Sequence, residues 1–400
     1  MDLAGISGLL TEIGWALLES LPPYREDEAL ALGEQLRQAG HDPALVAAAL
    51  TQSRLRGAAR GKFGPFADGM LFTATGLEQA TRLSVAARHA QRFVSAGIDR
   101  VADLGCGIGA DSMALATFDR EVLAVERDEV TAAVATMNLR HWPEATVRCA
   151  DATTTDLTGF GGAFVDPARR GETGKRLLDP RLGSPPLSFV LDLAARLPAV
   201  GVKTAPGIPH HLVPEGAEAQ WISVAGEVVE AGLWFGLLAR DGVRRSALVV
   251  PGDGEEASPV ELSDTDLPTV GAGPVADYLY EPDGAVIRAG LVAQVAAMVG
   301  GHLVDPTIAY VTSPTLVRSP LARAYTVEDV FAFQLKTLRS WLRDRGIGRL
   351  TIKKRGTAVQ PEQLRRQLKV SAAWGDAEAT IVLTRVSGRQ SVIAVCPITG

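Results

Sequence analysis

Membrane-spanning hydrophobicity is missing from this sequence. No run of eighteen apolar residues occurs in its 400 residues, which excludes a transmembrane helix as its organising feature. The N-terminus MDLAGISGLLTEIGWALLESLPP also lacks the basic start and small-residue cleavage site of a secretory leader, so a cytoplasmic protein is expected. Cysteine is scarce: Cys106, Cys149 and Cys396 are far apart and match neither a disulfide framework nor a zinc spacing, which fits a reducing compartment. The six histidines show no ligand spacing, and the neighbours His210 and His211 would diverge on a strand, so no structural metal is expected.

What is present is ordinary for a globular protein of two or three domains, with 46% hydrophobic and 22% charged residues. The net charge of -6 speaks against a nucleic-acid partner only until it is divided along the chain. Residues 331–400 hold thirteen Lys and Arg against four Asp and Glu, or +9, which leaves 27 minus 42, or -15, for residues 1–330. A basic module follows an acidic body.

Residues 1–70 are rich in Ala, Leu, Glu and Arg at helical spacing and read as a helical N-terminal region. Over 71–250 short β-like runs (RVADLG, EVLAVE, ATVRCA, GAFVDP) alternate with helical ones, the pattern of βαβ units and a parallel sheet, so the fold class is α/β. Residues 251–274, rich in Gly, Pro and acids, read as a linker or long loop, and 275–330 as a connecting segment. Residues 331–400 read as a small α/β module, with a helix near EDVFAFQLKTLRSWLRDRG, a strand GRLTIKKRG, a helix PEQLRRQL and the strands ATIVLTRV and SVIAVC.

The richest stretch is VADLGCGIGADSMALA at Val101–Ala116. GCGIGA satisfies a relaxed dinucleotide fingerprint between a strand and a helix, so on glycines alone a dinucleotide-dependent oxidoreductase is open. The carboxylates separate the readings. Asp103 closes the strand just before the first glycine, where a pyrophosphate meets an unhelpful charge and a cation meets a favourable one. S-adenosylmethionine carries a sulfonium and an ammonium, and its ribose and adenine offer hydroxyls and an amine. Glu126 ends the second strand, where a carboxylate accepts both ribose hydroxyls. Asp151 ends the third, where it accepts from an exocyclic amine. Each acid alone has a bland reading as a cap or turn former. Three at successive strand ends behind a glycine loop are harder to dismiss.

DLGCGIGAD, AVERD, CADAT and FVDPARR together resemble the first four motifs of class I S-adenosylmethionine-dependent methyltransferases. The resemblance implies a Rossmann-like methyltransferase sheet and S-adenosyl-L-methionine as cofactor. It places Asp103, Gly105, Gly107 and Asp111 on the methionine side, Glu126 at the ribose, and Asp151 with Ala152 at the adenine. FTATGLEQAT lies where such enzymes often place a segment touching the cofactor carboxylate, which adds Phe72, Thr73 and Gln79, although a plain helix explains them as well.

The acceptor follows from the fourth motif. No cysteine triad for an iron-sulfur cluster is visible, and Cys106 sits inside the glycine loop, where a small buried residue is the simpler account. FVDPARR is similar to the Asp/Asn-Pro-Pro-aromatic tetrapeptide of amino-methylating nucleic-acid enzymes, which makes Asp166, Pro167 and Arg169 the catalytic candidates. Ala168 and Arg169 replace the second Pro and the aromatic, so Arg169 would have to stack on a base or grip a phosphate. The alternative is a turn with a solvated Arg pair.

In the basic module Lys353, Lys354, Arg355, Arg365, Arg366, Lys369 and Arg385 form an electrostatic footprint for RNA phosphates, unless they are merely a solvated face. The arrangement as a whole, with VKTAPG and YLYEPDGAVIRAGL, resembles bacterial methyltransferases that carry a C-terminal THUMP-like domain. That resemblance implies an RNA methyltransferase acting on a structured tRNA or rRNA at a base nitrogen, with no membrane partner. A small-molecule or protein methyltransferase and a noncatalytic RNA-binding protein remain as alternatives. Arg54, Arg56, Arg60 and Lys62 form a second basic cluster that either shares the RNA contact or faces water.

Overall fold

A computed structural model describes residues 3–168, 180–252 and 258–398. The chain forms two compact units, Met1–Glu218 with Ala231–Asp241, and Ala219–Glu230 with Gly242–Gly400.

The first unit opens with helices α1 (Leu3–Leu9), α2 (Glu12–Ser20), α3 (Ala29–Gln38) and α4 (Pro43–Phe63). Asp42 caps α4 by accepting from Ala44 and Leu45 N–H, with Pro43 at the first helical position, where its missing N–H costs nothing. α5 (Ala74–Gln79) and α6 (Leu83–Ser95) precede the sheet. The alternation then runs β1 (Arg100–Leu104), α7 (Ala110–Thr117), β2 (Glu121–Glu126), α8 (Glu129–Asn138), β3 (Ala145–Cys149), β4 (Gly162–Val165), α9 (Leu187–Ala194) and β5 (Ala199–Thr204). Next along the chain come β6 (Glu218–Val224), which from Ala219 on belongs to the second unit, and β7 (Glu227–Gly236), which returns to the first at Ala231. Strand order in this unit is β3-β2-β1-β4-β5-β7. The first five are mutually parallel and β7 runs antiparallel to β5. β4 and β5 are buried along their whole lengths, as a parallel sheet covered on both faces requires. Phe93, Val101, Leu115, Phe164 and Trp234 pack together in its core. A second cluster joins the N-terminal helices to the glycine-loop region through Leu55, Phe63, Phe72, Ile108 and Val134.

In the second unit β8 (Arg245–Val250) lies between β6 and β9 (Val260–Ser263), so the stretch 251–274 holds a short strand. A seven-stranded sheet has the order β11-β12-β10-β13-β16-β15-β14, built from β10 (Tyr278–Pro282), β11 (His302–Leu303), β12 (Val311–Ser313), β13 (Ala322–Ala332), β14 (Ile347–Lys354), β15 (Ala377–Val386) and β16 (Arg389–Pro397). α10 (Gly284–Ala289) and α11 (Val292–Met298) follow β10, while α12 (Leu335–Asp344) and α13 (Pro361–Leu368) place Leu338, Leu342, Leu364 and Leu368 against Ile381 and Leu383 of the sheet. The helix expected near EDVFAF starts only at Leu335. Residues up to Ala332 alternate in exposure and pair with β16, so cross-strand pairing overrides the local helical composition. No helix among the described residues is long and apolar enough to cross a membrane.

Candidate functional site

The parallel register gathers the site at the carboxyl ends of the strands, where open α/β sheets bind ligands. Leu104 is level with Val125 on β2 and with Val165 on β4, so the glycine loop leaves the sheet between Glu126 and Asp166. Gly105 and Cys106 N–H both donate to Val125 O, at 2.9 and 3.0 Å. Gly105 has φ +85° and a Cβ there would lie 2.6 Å from Asp166 O, so position 105 demands glycine for both conformation and space. The loop is therefore pressed onto the start of the DPARR motif.

Asp103, Asp111 and Lys203 are 1%, 6% and 2% exposed, and they belong to one buried polar network. Asp103 Oδ2 accepts from Ser112 Oγ at 2.5 Å, whereas its buried Oδ1 has no hydrogen-bond partner. Burial, reinforced by the charge of Asp111, pushes the Asp103 carboxyl up to about 8. Asp111 accepts from Thr81 Oγ1 at 2.7 Å and lies 2.8 Å from His89 Nδ1. Burial raises that carboxyl, but His89, Lys203 and Thr81 outweigh it and hold Asp111 below the usual carboxylate range. Lys203 Nζ donates to Thr81 Oγ1 at 3.0 Å and forms an ion pair with Asp166.

An orphaned buried carboxylate oxygen beside a glycine cradle fits a ligand carrying positive charge. The neighbouring strand ends are arranged compatibly. Glu126 is held by Gly107 N–H at 3.2 Å and Asp128 N–H at 2.9 Å. Asp151 accepts from Thr153 N–H and Oγ1 through Oδ1, bonds that keep its carboxyl below the usual range. Ala152 follows in the same short turn. These residues would hold S-adenosylmethionine as a cation near Asp103, a ribose at Glu126 and an adenine at Asp151.

Phe72 is wholly buried, tilted against Phe63 at 5.5 Å, and its backbone N–H and C=O both bond to Gln52. Thr73 caps α5 by accepting from Gly76 N–H, and Gln79 is exposed at the end of that helix. Asp166 lies just past β4 with its N–H on Leu104 O at 3.0 Å. Pro167 is half-buried, and Ala168 N–H donates to Ser184 O. Arg169 lies outside the described residues.

Lys203, Thr81 and His89 were absent from the sequence-based candidates. Lys203 had a signal, a lone charge at the end of the apolar run AVGVKT, all of which is buried. Within the N-terminal basic cluster Arg56 and Lys62 are used internally. Arg56 Nε donates to Met70 O, Arg60 pairs with Asp68, and Lys62 Nζ donates to Leu77, Glu78 and Ala80 O at 2.8, 2.8 and 2.9 Å. With Gln52, and with Asn138 on Leu71, Arg56 and Lys62 satisfy the backbone of the segment that leads to Thr81. Arg54 stays exposed.

In the second unit the basic candidates divide by role. Lys353 pairs with Glu281 at 2.6 Å and lies 5.5 Å from the Tyr325 ring centroid. Arg355 sits over Tyr310 and 3.9 Å from the same carboxylate. Arg365 donates to Leu350 O and Arg385 to Thr307 Oγ1. Lys354, Arg366 and Lys369 are exposed; Lys354 donates to Gln360 Oε1 at 3.1 Å, and Arg366 makes a long contact to Glu362 O at 3.4 Å.

Residues 322–397 match the family described as THUMP domain-like, starting where β13 starts, and residues 2–59 match one described as a domain of unknown function. Two proteins from strains of Mycobacterium tuberculosis, each described as an S-adenosylmethionine-dependent methyltransferase, are each 34% identical over 341 residues, covering 83% of this chain and 90% of theirs. A crystal structure from Porphyromonas gingivalis, described as that of a candidate methyltransferase, has a TM-score of 0.71 at 19% identity over 94% of this chain and 100% of that chain, and so shares the fold.

Proposed function

Since the chain belongs to the S-adenosylmethionine-dependent methyltransferases and carries a C-terminal THUMP-like domain, we propose that it methylates RNA, a tRNA or rRNA, at a base nitrogen. Bound, the cofactor supplies a methyl group on a sulfonium. Asp103, Gly105, Gly107 and Asp111 form the methionine side of its pocket, Glu126 meets the ribose, and Asp151 with Ala152 the adenine. Asp166 and Pro167 face the acceptor. An ionised Asp166 accepts a hydrogen bond from the acceptor N–H, which orients the nitrogen lone pair and keeps water from taking its place.

The observation that carries the RNA reading is the exposed basic surface of Lys354, Arg366 and Lys369 within a module of +9, set in an otherwise acidic chain. Purified protein incubated with methyl-tritiated S-adenosylmethionine and RNA from a strain lacking the gene should label that RNA. Label entering protein or a small-molecule fraction, with RNA unlabelled, would transfer the reading to those substrates.

A further inference from the structure

Lys203 occupies an unusual position for an ammonium. On β5, Val202 is level with Val165 of β4, so the next residues on the two parallel strands, Lys203 and Asp166, emerge side by side. Lys203 is also level with Gly232 on β7, where the Trp234 ring fills the space a side chain at 232 would take. It is almost wholly buried, whereas the Asp166 side chain is 24% exposed. The pair thus has a dry end and a wet end.

Thr81 fixes the orientation of the Lys203 amine at the dry end. Its single hydroxyl hydrogen goes to Asp111 Oδ2, so toward Lys203 it can only accept, and Lys203 must donate. Behind it stand Asp111, held by His89, and Asp103, and the positive charge of Lys203 favours the ionised form of both. A buried ammonium without such partners would be strongly disfavoured. Its retention at the acceptor end of the sheet calls for a use there.

We propose that Lys203 is the positioning residue for Asp166, fixing the orientation and the negative charge of the carboxylate that receives the methyl acceptor. This rests on the role assigned to Asp166 and not on RNA being the substrate. An ion pair held from behind by Thr81 keeps Asp166 a hydrogen-bond acceptor and a poor proton acceptor. In the transfer the acceptor nitrogen's lone pair forms the N–C bond, the C–S bond breaks with its electron pair going to sulfur, and the acceptor's N–H proton leaves afterwards to water.

Carbon-13 titration of aspartate carboxyls in the full chain, with Asp166→Asn assigning the resonance, tests this without any methyl acceptor. Lys203→Met should raise the Asp166 midpoint by at least one pH unit, and Lys203→Arg should restore most of the shift. S-adenosylhomocysteine calorimetry reports whether each variant is folded. If Lys203→Met fails to bind it, Thr81→Val provides the second reading, a smaller shift in the same direction. An Asp166 midpoint unchanged in a folded Lys203→Met or Thr81→Val variant overturns the proposal. Where an acceptor is in hand, Lys203→Met should lower kcat with KM nearly unchanged, and Lys203→Arg should recover part of it. Failure to label RNA would count against the RNA reading alone, because the titration needs none.

Discussion

The two units use charge in opposite ways. In the first, Asp103, Asp111, His89 and Lys203 are all buried, and Arg56 and Lys62 of α4 hold backbone carbonyls. In the second, Lys353, Arg355, Arg365 and Arg385 have internal partners, while Lys354, Arg366 and Lys369 remain at the surface. A charge count along the sequence therefore overstates what is available to a partner. It also understates what is available to chemistry, because buried charge interacts strongly where exposed charge is screened.

The comparison breaks most visibly at Asp166. Asp166→Ala should reduce methyl transfer by about 100-fold or more while S-adenosylhomocysteine affinity, by calorimetry, changes little, since the contact matters most in the transition state. Full activity would make DPARR a structural turn. Next in size is a pH effect from Asp103. Burial pushes its folded carboxyl up to about 8 against about 4 unfolded, so the cofactor-free protein should lose stability as pH rises from about 4 to 8 and level off above that. A cationic cofactor favours the ionised form, and its affinity should climb by up to about tenfold per pH unit between pH 6 and 7.5. Calorimetry at stepped pH with Asp103→Asn, which should flatten the slope, checks this.

Two substitutions probe the support around the pocket. Gln52→Ala leaves the Phe72 N–H and C=O buried without partners and should cost about 2 to 4 kcal/mol in denaturant unfolding. Glu126→Ala should weaken cofactor binding by about 1 to 3 kcal/mol, the cost of buried hydroxyls left unpaired. The smallest effect belongs to the surface. Changing Lys354, Arg366 and Lys369 together to Ala should flatten the salt dependence of RNA binding by about 2 to 3 units at about 0.7 to 0.9 per contact, with stability unchanged. Lys353→Ala should do the reverse, lowering stability by removing the nearest cation from Glu281, which keeps Tyr325 and the more distant Arg355, and the contrast between the two variants separates surface charge from structural charge.

What was legible in the sequence was local. Asp103, Glu126 and Asp151 stand out as candidates because an acid near a strand end beside a turn is a short-range pattern: Asp103 is the last but one residue of β1, Glu126 ends β2, and Asp151 lies two past β3. The α/β class and the C-terminal order of β14, α13, β15 and β16 follow from periodicity in the same way. Lys203 was not legible as a site residue, because Thr81 is 122 positions away and only the register of β4 with β5 places Asp166 beside it. Arg56 and Lys62 looked like a surface cluster because helical spacing does not reveal which carbonyls a neighbouring segment will present. β13 ran on where a helix was expected, since its pairing with β16 is non-local.

Nucleoside mass comparison of total RNA from wild-type and deletion strains decides whether this enzyme methylates RNA. One methylated nucleoside should be lost on deletion, regained with the wild-type chain and not regained with Asp166→Ala. Identical nucleoside profiles in the two strains, under conditions where the protein is expressed, would contradict that activity.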